Sequence, residues 1–175
     1  MRILKIFKNQ SLIKKFKGHR DYKYIRSLFK LKYCYLAALT KKEYFGLLMN
    51  SSPEKPCPKI SALPTVGESI KQFLKTPSHL KTKHPDRGIS GTTVAKYIKK
   101  FKADKKSGFG FIGDNKYSKK GKYYISDAMH RLVAFGVWKK LKIKDYEVQT
   151  IYCTNKKLKT IKRLGRRRPS LFTKG

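Results

Sequence analysis

What this sequence has least of is negative charge. Ten Asp and Glu stand against 44 Lys and Arg, which leaves a formal net charge of +34 on 175 residues. That imbalance is far outside the range of an ordinary small soluble domain, and it predicts contact with polyanions without choosing among nucleic acid, anionic headgroups and nucleotide phosphates. Cysteine is also scarce. Cys34, Cys57 and Cys153 are odd in number, form no C-x-x-C pair and have no His at metal-ligand spacing, so they read as three free thiols, with Cys153 structural in a strand. No apolar run is long enough to span a membrane, and Lys interrupts residues 1–16 too often for a secretory h-region. The expected setting is therefore cytoplasmic or peripheral to a membrane. No period suggests a solenoid.

What is present is enough apolar and aromatic material, 39% and 13%, to bury the core of one domain with appendages. Over residues 1–35, Ile3, Leu4, Ile6, Phe7, Leu12, Ile13, Phe16, Ile25, Leu28 and Phe29 recur at helix-like spacings between basic residues. This predicts basic amphipathic helices, interrupted near Gly18 and His19. Two readings stand for them: a cap packed on the rest of the chain, or an arm lying on anionic membrane. Residues 50–58 collect turn formers and three prolines, each lacking a backbone donor. The expected organisation is thus a helical extension over residues 1–55, a domain over 56–154 and a basic tail over 155–175.

Within that domain, Thr65 is placed to cap a helix carrying Val66, Ile70, Phe73 and Leu74, with Glu68 in capping-box position. Ser90 or Thr92 starts a second helix in which Val94, Tyr97, Ile98 and Phe101 share a face. The glycine-rich residues 108–115 lack the Gly-Lys-Ser/Thr ending of a phosphate-binding loop and read as a short strand or turn. A strand over residues 122–125 then runs into a helix with Leu132, Phe135, Val137, Trp138 and Leu141 on its buried stripe, and residues 147–153 return as a strand. Strand, helix, strand in this order predicts an α/β or α+β domain.

The candidate site lies where that strand meets that helix. A helix start presents unpaired N–H groups and the positive end of its dipole, so anions bind there. Arg131 would add a planar fork for two phosphate oxygens and His130 a titratable donor. Asp127 has two readings: a helix cap, or a carboxylate that holds Mg²⁺ or orients a hydroxyl. Tyr117, Tyr123 and Tyr124, interleaved with Lys, either fill the core or stack on bases.

From Lys122, Tyr123, Tyr124, Ile125 and Ser126 through Asp127, Ala128, Met129, His130 and Arg131 to Leu132, Val133, Ala134, Phe135 and Gly136, the chain resembles the ParB/sulfiredoxin superfamily signature. That signature is a hydrophobic strand, an Asp-Gly-x-His-Arg or Gly-Glu-Arg-Arg turn, and an Ala-rich helix ending near Gly. The resemblance extends over residues 63–153. It implies a small α/β domain that binds a nucleotide, with phosphates at Met129, His130 and Arg131. Superfamily members include CTP- and DNA-binding partition proteins, ATP-dependent sulfiredoxins and free-serine kinases.

Departures narrow the choice. Sulfiredoxins carry their reactive Cys where this chain has Met129, which excludes thiol repair. A partition protein's helix-turn-helix domain is not expected after Cys153, where only a basic tail follows. The Asp-x-x-His-Arg form is closer to the kinase-like branch. The resemblance therefore implies a nucleotide-dependent phosphotransferase or hydrolase, with ATP and Mg²⁺ as ligands, Asp127 as catalytic and metal-binding carboxylate and Glu68 as a second carboxylate. The usual Gly after the Asp is Ala128 here, which restricts the backbone if positive φ is needed. The competing expectations are a non-catalytic nucleic-acid binder on the same scaffold, and a peripheral membrane protein of envelope polysaccharide synthesis.

Overall fold

The computed structural model describes residues 1–18, 22–49, 64–82, 89–103, 110–114 and 121–159. The predicted hinge at residues 50–58, Cys57, Tyr117 and tail residues 160–175 lie outside them. The fold is mixed α+β, built on a six-stranded mixed sheet. Its elements are β1 (Arg2–Phe7), α1 (Asn9–Phe16), α2 (Tyr22–Ile25), a 3-10 turn (Leu28–Lys30), β2 (Tyr33–Leu39), α3 (Lys41–Phe45) and β3 (Leu48–Met49). There follow α4 (Val66–Lys75), a second 3-10 turn (Pro77–Lys81), α5 (Gly91–Lys102), β4 (Gly110–Asp114), β5 (Tyr123–Asp127), α6 (Met129–Trp138) and β6 (Val148–Thr154).

The spatial order is β1-β2-β6-β4-β5-β3. β2 pairs antiparallel with β6 over seven residues, β6 runs parallel to β4, and β4 is antiparallel to β5. Every residue of β6 is buried, as a central strand covered on both faces requires. Its side chains alternate between two cores: Val148 and Tyr152 join the one containing α4, α5 and α6, while Ile151 and Cys153 join the one containing Leu12, Ile25, Leu28 and Phe29. Successive strand residues point to opposite faces, so the α4–α6 layer and the N-terminal layer sandwich the sheet.

The N-terminal expectation is partly corrected. Residues 9–16 and 22–25 are helical, but Arg2–Phe7 and Tyr33–Leu39 are strands. The misleading spacing has a physical source. The β1–β2 register shifts between Ile3 and Lys5, so Ile3 pairs with Ala37 and Ile6 with Tyr35. Those partners are two apart on β2 and share a face, so a bulge gives β1 two same-face residues three apart, the spacing of a helix turn. Strands from both sides of the predicted 55/56 boundary therefore share one sheet.

The apolar stripe of the N-terminal helices packs inward. Leu12 and Ile25 are 4% and 1% exposed, and Phe16 meets Phe111 of β4 edge-on at 5.1 Å. The geometry supports the cap over the membrane arm. Among the described residues no helix is long and apolar enough to cross a membrane.

Local chemistry sets the other helix starts where the sequence places them. Thr65 and Glu68 form a reciprocal capping box on α4, and the Ser90 hydroxyl accepts the Thr93 N–H at the start of α5. Cys34 and Cys153 face each other across β2 and β6 with Cα atoms 4.2 Å apart and form a disulfide. This corrects the expectation of free thiols at both positions. The tyrosines on β5 join the packing: Tyr124 is buried, and half-buried Tyr123 meets Tyr152 edge-on at 5.3 Å.

Candidate functional site

β5 ends at Asp127, and the chain turns into α6 through Ala128, which adopts φ 81° and ψ 21°. This is the left-handed region that glycine occupies without strain and that costs an L-residue roughly 1–2 kcal/mol. The turn is possible partly because β4 contributes Gly110 beneath it. A Cβ there would stand 3.2 Å from the Ala128 Cβ and 3.4 Å from the Asp127 carbonyl oxygen. The residue in the N-cap position of α6 is Ala128, which has no side-chain acceptor to offer the first turn. The Asp127 carboxylate accepts a 2.7 Å hydrogen bond from the Arg131 guanidinium, with the two side chains 17% and 15% exposed. Arg131 is thus held at the mouth of the helix by the acid that precedes it.

His130 is placed by a partner forty residues away. Its Nε2 accepts the Ser90 backbone N–H at 3.1 Å, so the start of α6 is joined to the start of α5. The Ser90 and Thr92 hydroxyls, 3.0 Å apart, stand at the same place. Two helix N-termini, with their positive dipole ends, therefore converge at the junction. Ser90 was legible in the sequence as a helix start but carried no signal of this contact, which depends on how α5 packs on α6. The Met129 side chain packs against the helical core, so its contribution to an anion would be its backbone N–H.

Burial holds the His130 imidazole below its usual value of 6.5, and its accepting role requires that Nε2 be unprotonated. A base with a lowered folded-state pKa makes the unfolded state bind more protons, so stability is complete above about 6.5 and declines as pH falls through the folded value. Urea denaturation at pH 7.5, 6.5 and 5.5 is expected to show this loss in the wild type and a smaller one in His130→Gln. Identical pH profiles would remove His130 as the titrating group.

Glu68 does not join this group. It is an exposed residue whose carboxylate accepts the Thr65 N–H at 2.7 Å. Ile70, two residues on, packs where a Gly136 Cβ would lie, about 10 Å along α6 from Met129 at the helical rise per residue. Among the described residues no three His, Cys, Asp or Glu side chains gather, and the Asp127 carboxylate already bonds a cation.

A second polar cluster was not singled out from the sequence. Asp114, at the end of β4, accepts hydrogen bonds from the Tyr152 and Thr154 hydroxyls at 2.5 and 2.6 Å. Burial raises the Tyr152 hydroxyl well above the usual phenol value, and the bond to Asp114 adds to the rise. The phenol stays protonated as a donor, and the cluster ties β4 to β6. No protein-family model, curated protein or solved structure matches the chain.

Proposed function

We propose that this protein binds a nucleotide, with its phosphates received where α6 begins. The observation that carries this reading is the convergence of two helix starts, joined by the bond from the Ser90 N–H to His130, with Arg131 fixed beside them by Asp127. Backbone N–H groups and a planar guanidinium are the donor set phosphates favour. The resemblance to the ParB/sulfiredoxin signature supports the same position and puts phosphoryl transfer or nucleotide hydrolysis as the reaction class. In this arrangement Asp127 acts first as the positioning residue for Arg131, so the geometry supports binding ahead of chemistry, and no step is assigned to a metal. The disulfide between β2 and β6 favours conditions oxidising enough to maintain it.

Calorimetric titration with ATP, ADP, CTP and GTP, each with and without Mg²⁺, tests the proposal. At least one nucleotide is expected to bind the wild type, and Arg131→Ala is expected to weaken it at least about tenfold, the loss of a charge-assisted bidentate contact. Asp127→Asn should weaken it less, because the guanidinium remains but loses its orientation. Ala128→Gly relieves the left-handed strain, and it is expected to raise stability by up to about 1 kcal/mol while keeping the affinity. No binding by folded wild-type protein, or undiminished binding by Arg131→Ala, would overturn the assignment.

A further inference from the structure

We infer a second anion-binding site, distinct from the α6 junction, in the N-terminal layer: a basic cleft that takes a segment of single-stranded nucleic acid. The cleft, of about 470 Å³, opens where β1 passes into α1 beside the link from the first 3-10 turn to β2. Its walls carry Lys8, Lys30 and Lys32, all exposed, and its apolar lining includes Phe7, Leu31 and Tyr33. The structure around it is clipped in place. The Asn9 side-chain amide donates to the carbonyls of Phe29 and Leu31 at 3.2 and 2.5 Å, and the Lys32 N–H donates to the Asn155 side chain at 3.1 Å. The Tyr33 ring belongs to the α4–α6 side of the sheet and lines the cleft from the start of β2; it is stacked on Tyr35 with centroids 6.0 Å apart, so one of its faces is backed and the ring is pre-oriented.

The occupant follows from charge and from the kind of apolar surface offered. Apart from Asp21, residues 1–42 contain no acid, so this layer carries a large excess of positive charge. The ligand must be anionic at several points. An acidic peptide meets that condition but makes no particular use of a fixed aromatic ring. A lipid surface would need several exposed apolar side chains, whereas Ile6, at 52%, is the exposed large hydrophobic among the described residues. Single-stranded nucleic acid matches both features, with phosphates for the lysines and planar bases for a backed aromatic ring.

Fluorescence anisotropy with a labelled oligonucleotide of about ten thymidines tests the inference. The triple variant Lys8→Ala, Lys30→Ala, Lys32→Ala is expected to lose at least about tenfold in affinity. A charge-matched control, Lys71→Ala, Lys75→Ala, Lys99→Ala on the opposite layer, should lose less than about threefold. Tyr33→Leu should weaken the thymidine oligonucleotide several-fold while leaving an abasic oligonucleotide of equal phosphate number unchanged. Circular dichroism confirms that each variant is folded. Absence of binding by the wild type, equal losses for the two triples, or an equal effect of Tyr33→Leu on both oligonucleotides would overturn the site. So would displacement of the oligonucleotide, at matched charge, by poly-glutamate or by vesicles containing phosphatidylglycerol. None of these variants touches residues 127–131, so failure here leaves the nucleotide reading standing, and the reverse also holds.

Discussion

Replacing both Cys34 and Cys153 by alanine, or reducing the native protein, is expected to lower its stability by about 2–5 kcal/mol. The two cysteines are separated by 119 residues, so the bond closes most of the described chain into one loop and restricts the unfolded ensemble accordingly. The upper half of the range follows from loop length, because the entropic term grows with the logarithm of the closed loop. The native state needs no rearrangement to hold the bond. Cys34 and Cys153 are direct partners in the β2–β6 register, and both are fully buried in the core beneath the N-terminal helices. Urea denaturation with and without reductant reads the loss. Alkylation of the unreduced, denatured protein followed by intact-mass analysis checks the bond itself, with one of the three cysteines expected to react. Three modified cysteines would remove the disulfide from the description of the fold.

The same bond shows why part of this structure was legible in the sequence and part was not. Features fixed by neighbours along the chain could be read. Thr65 with Glu68, and Ser90, are helix starts because a hydroxyl reaches an N–H three residues on, an arrangement that needs nothing distant. The helix at α6 and the strand character of β4 are likewise written in local sequence, although α6 is buried all round over residues 132–137 and the expected stripe residue Leu141 lies beyond its end. Features fixed by pairing could not be read. The Cys34–Cys153 contact requires knowing that β2 and β6 are neighbours and in which register, and the bulge in β1 imitates a helical repeat until its partner strand is known. The site divides in the same way. The strand, turn and helix around Asp127 and Arg131 were legible, and the (i, i+4) spacing that lets those two meet belongs to the helix geometry. The bond from Ser90 to His130 arises from the packing of α5 on α6, so it had no local signature; it makes the His130 Nε2 an acceptor that holds two helices together and leaves the ring's proton on Nδ1.

Truncating Phe135 to alanine is expected to cost about 3–5 kcal/mol, the range for removing a large buried aromatic side chain. Phe135 is fully buried where α6 meets α5. Its ring meets Phe101 edge-on at 5.6 Å and lies 5.7 Å from Trp138, which itself stacks on Phe101. One residue further, Gly136 lets α4 approach: a Cβ there would fall 2.1 Å from the Ile70 Cδ1 and 2.9 Å from the Tyr44 hydroxyl oxygen. That hydroxyl donates to the Leu132 carbonyl at 2.5 Å. Helix α6 is thus gripped by α5 through rings and by α4 and Tyr44 through close contact, and residues 132–137 are buried on every side. Against the 5–15 kcal/mol typical of a folded domain, the expected loss is a large fraction of the total. Phe135→Leu keeps much of the volume and is expected to lose distinctly less. The consequence for the site follows from the same packing. The first turn of α6 stays beside Ser90 because the helix body is clamped, so Phe135→Ala should also raise amide exchange at residues 129–131 relative to β6. A loss under about 1 kcal/mol in equilibrium unfolding would mean that the α5–α6 contact does not anchor the helix, and the placement of the proposed phosphate site would then need another support.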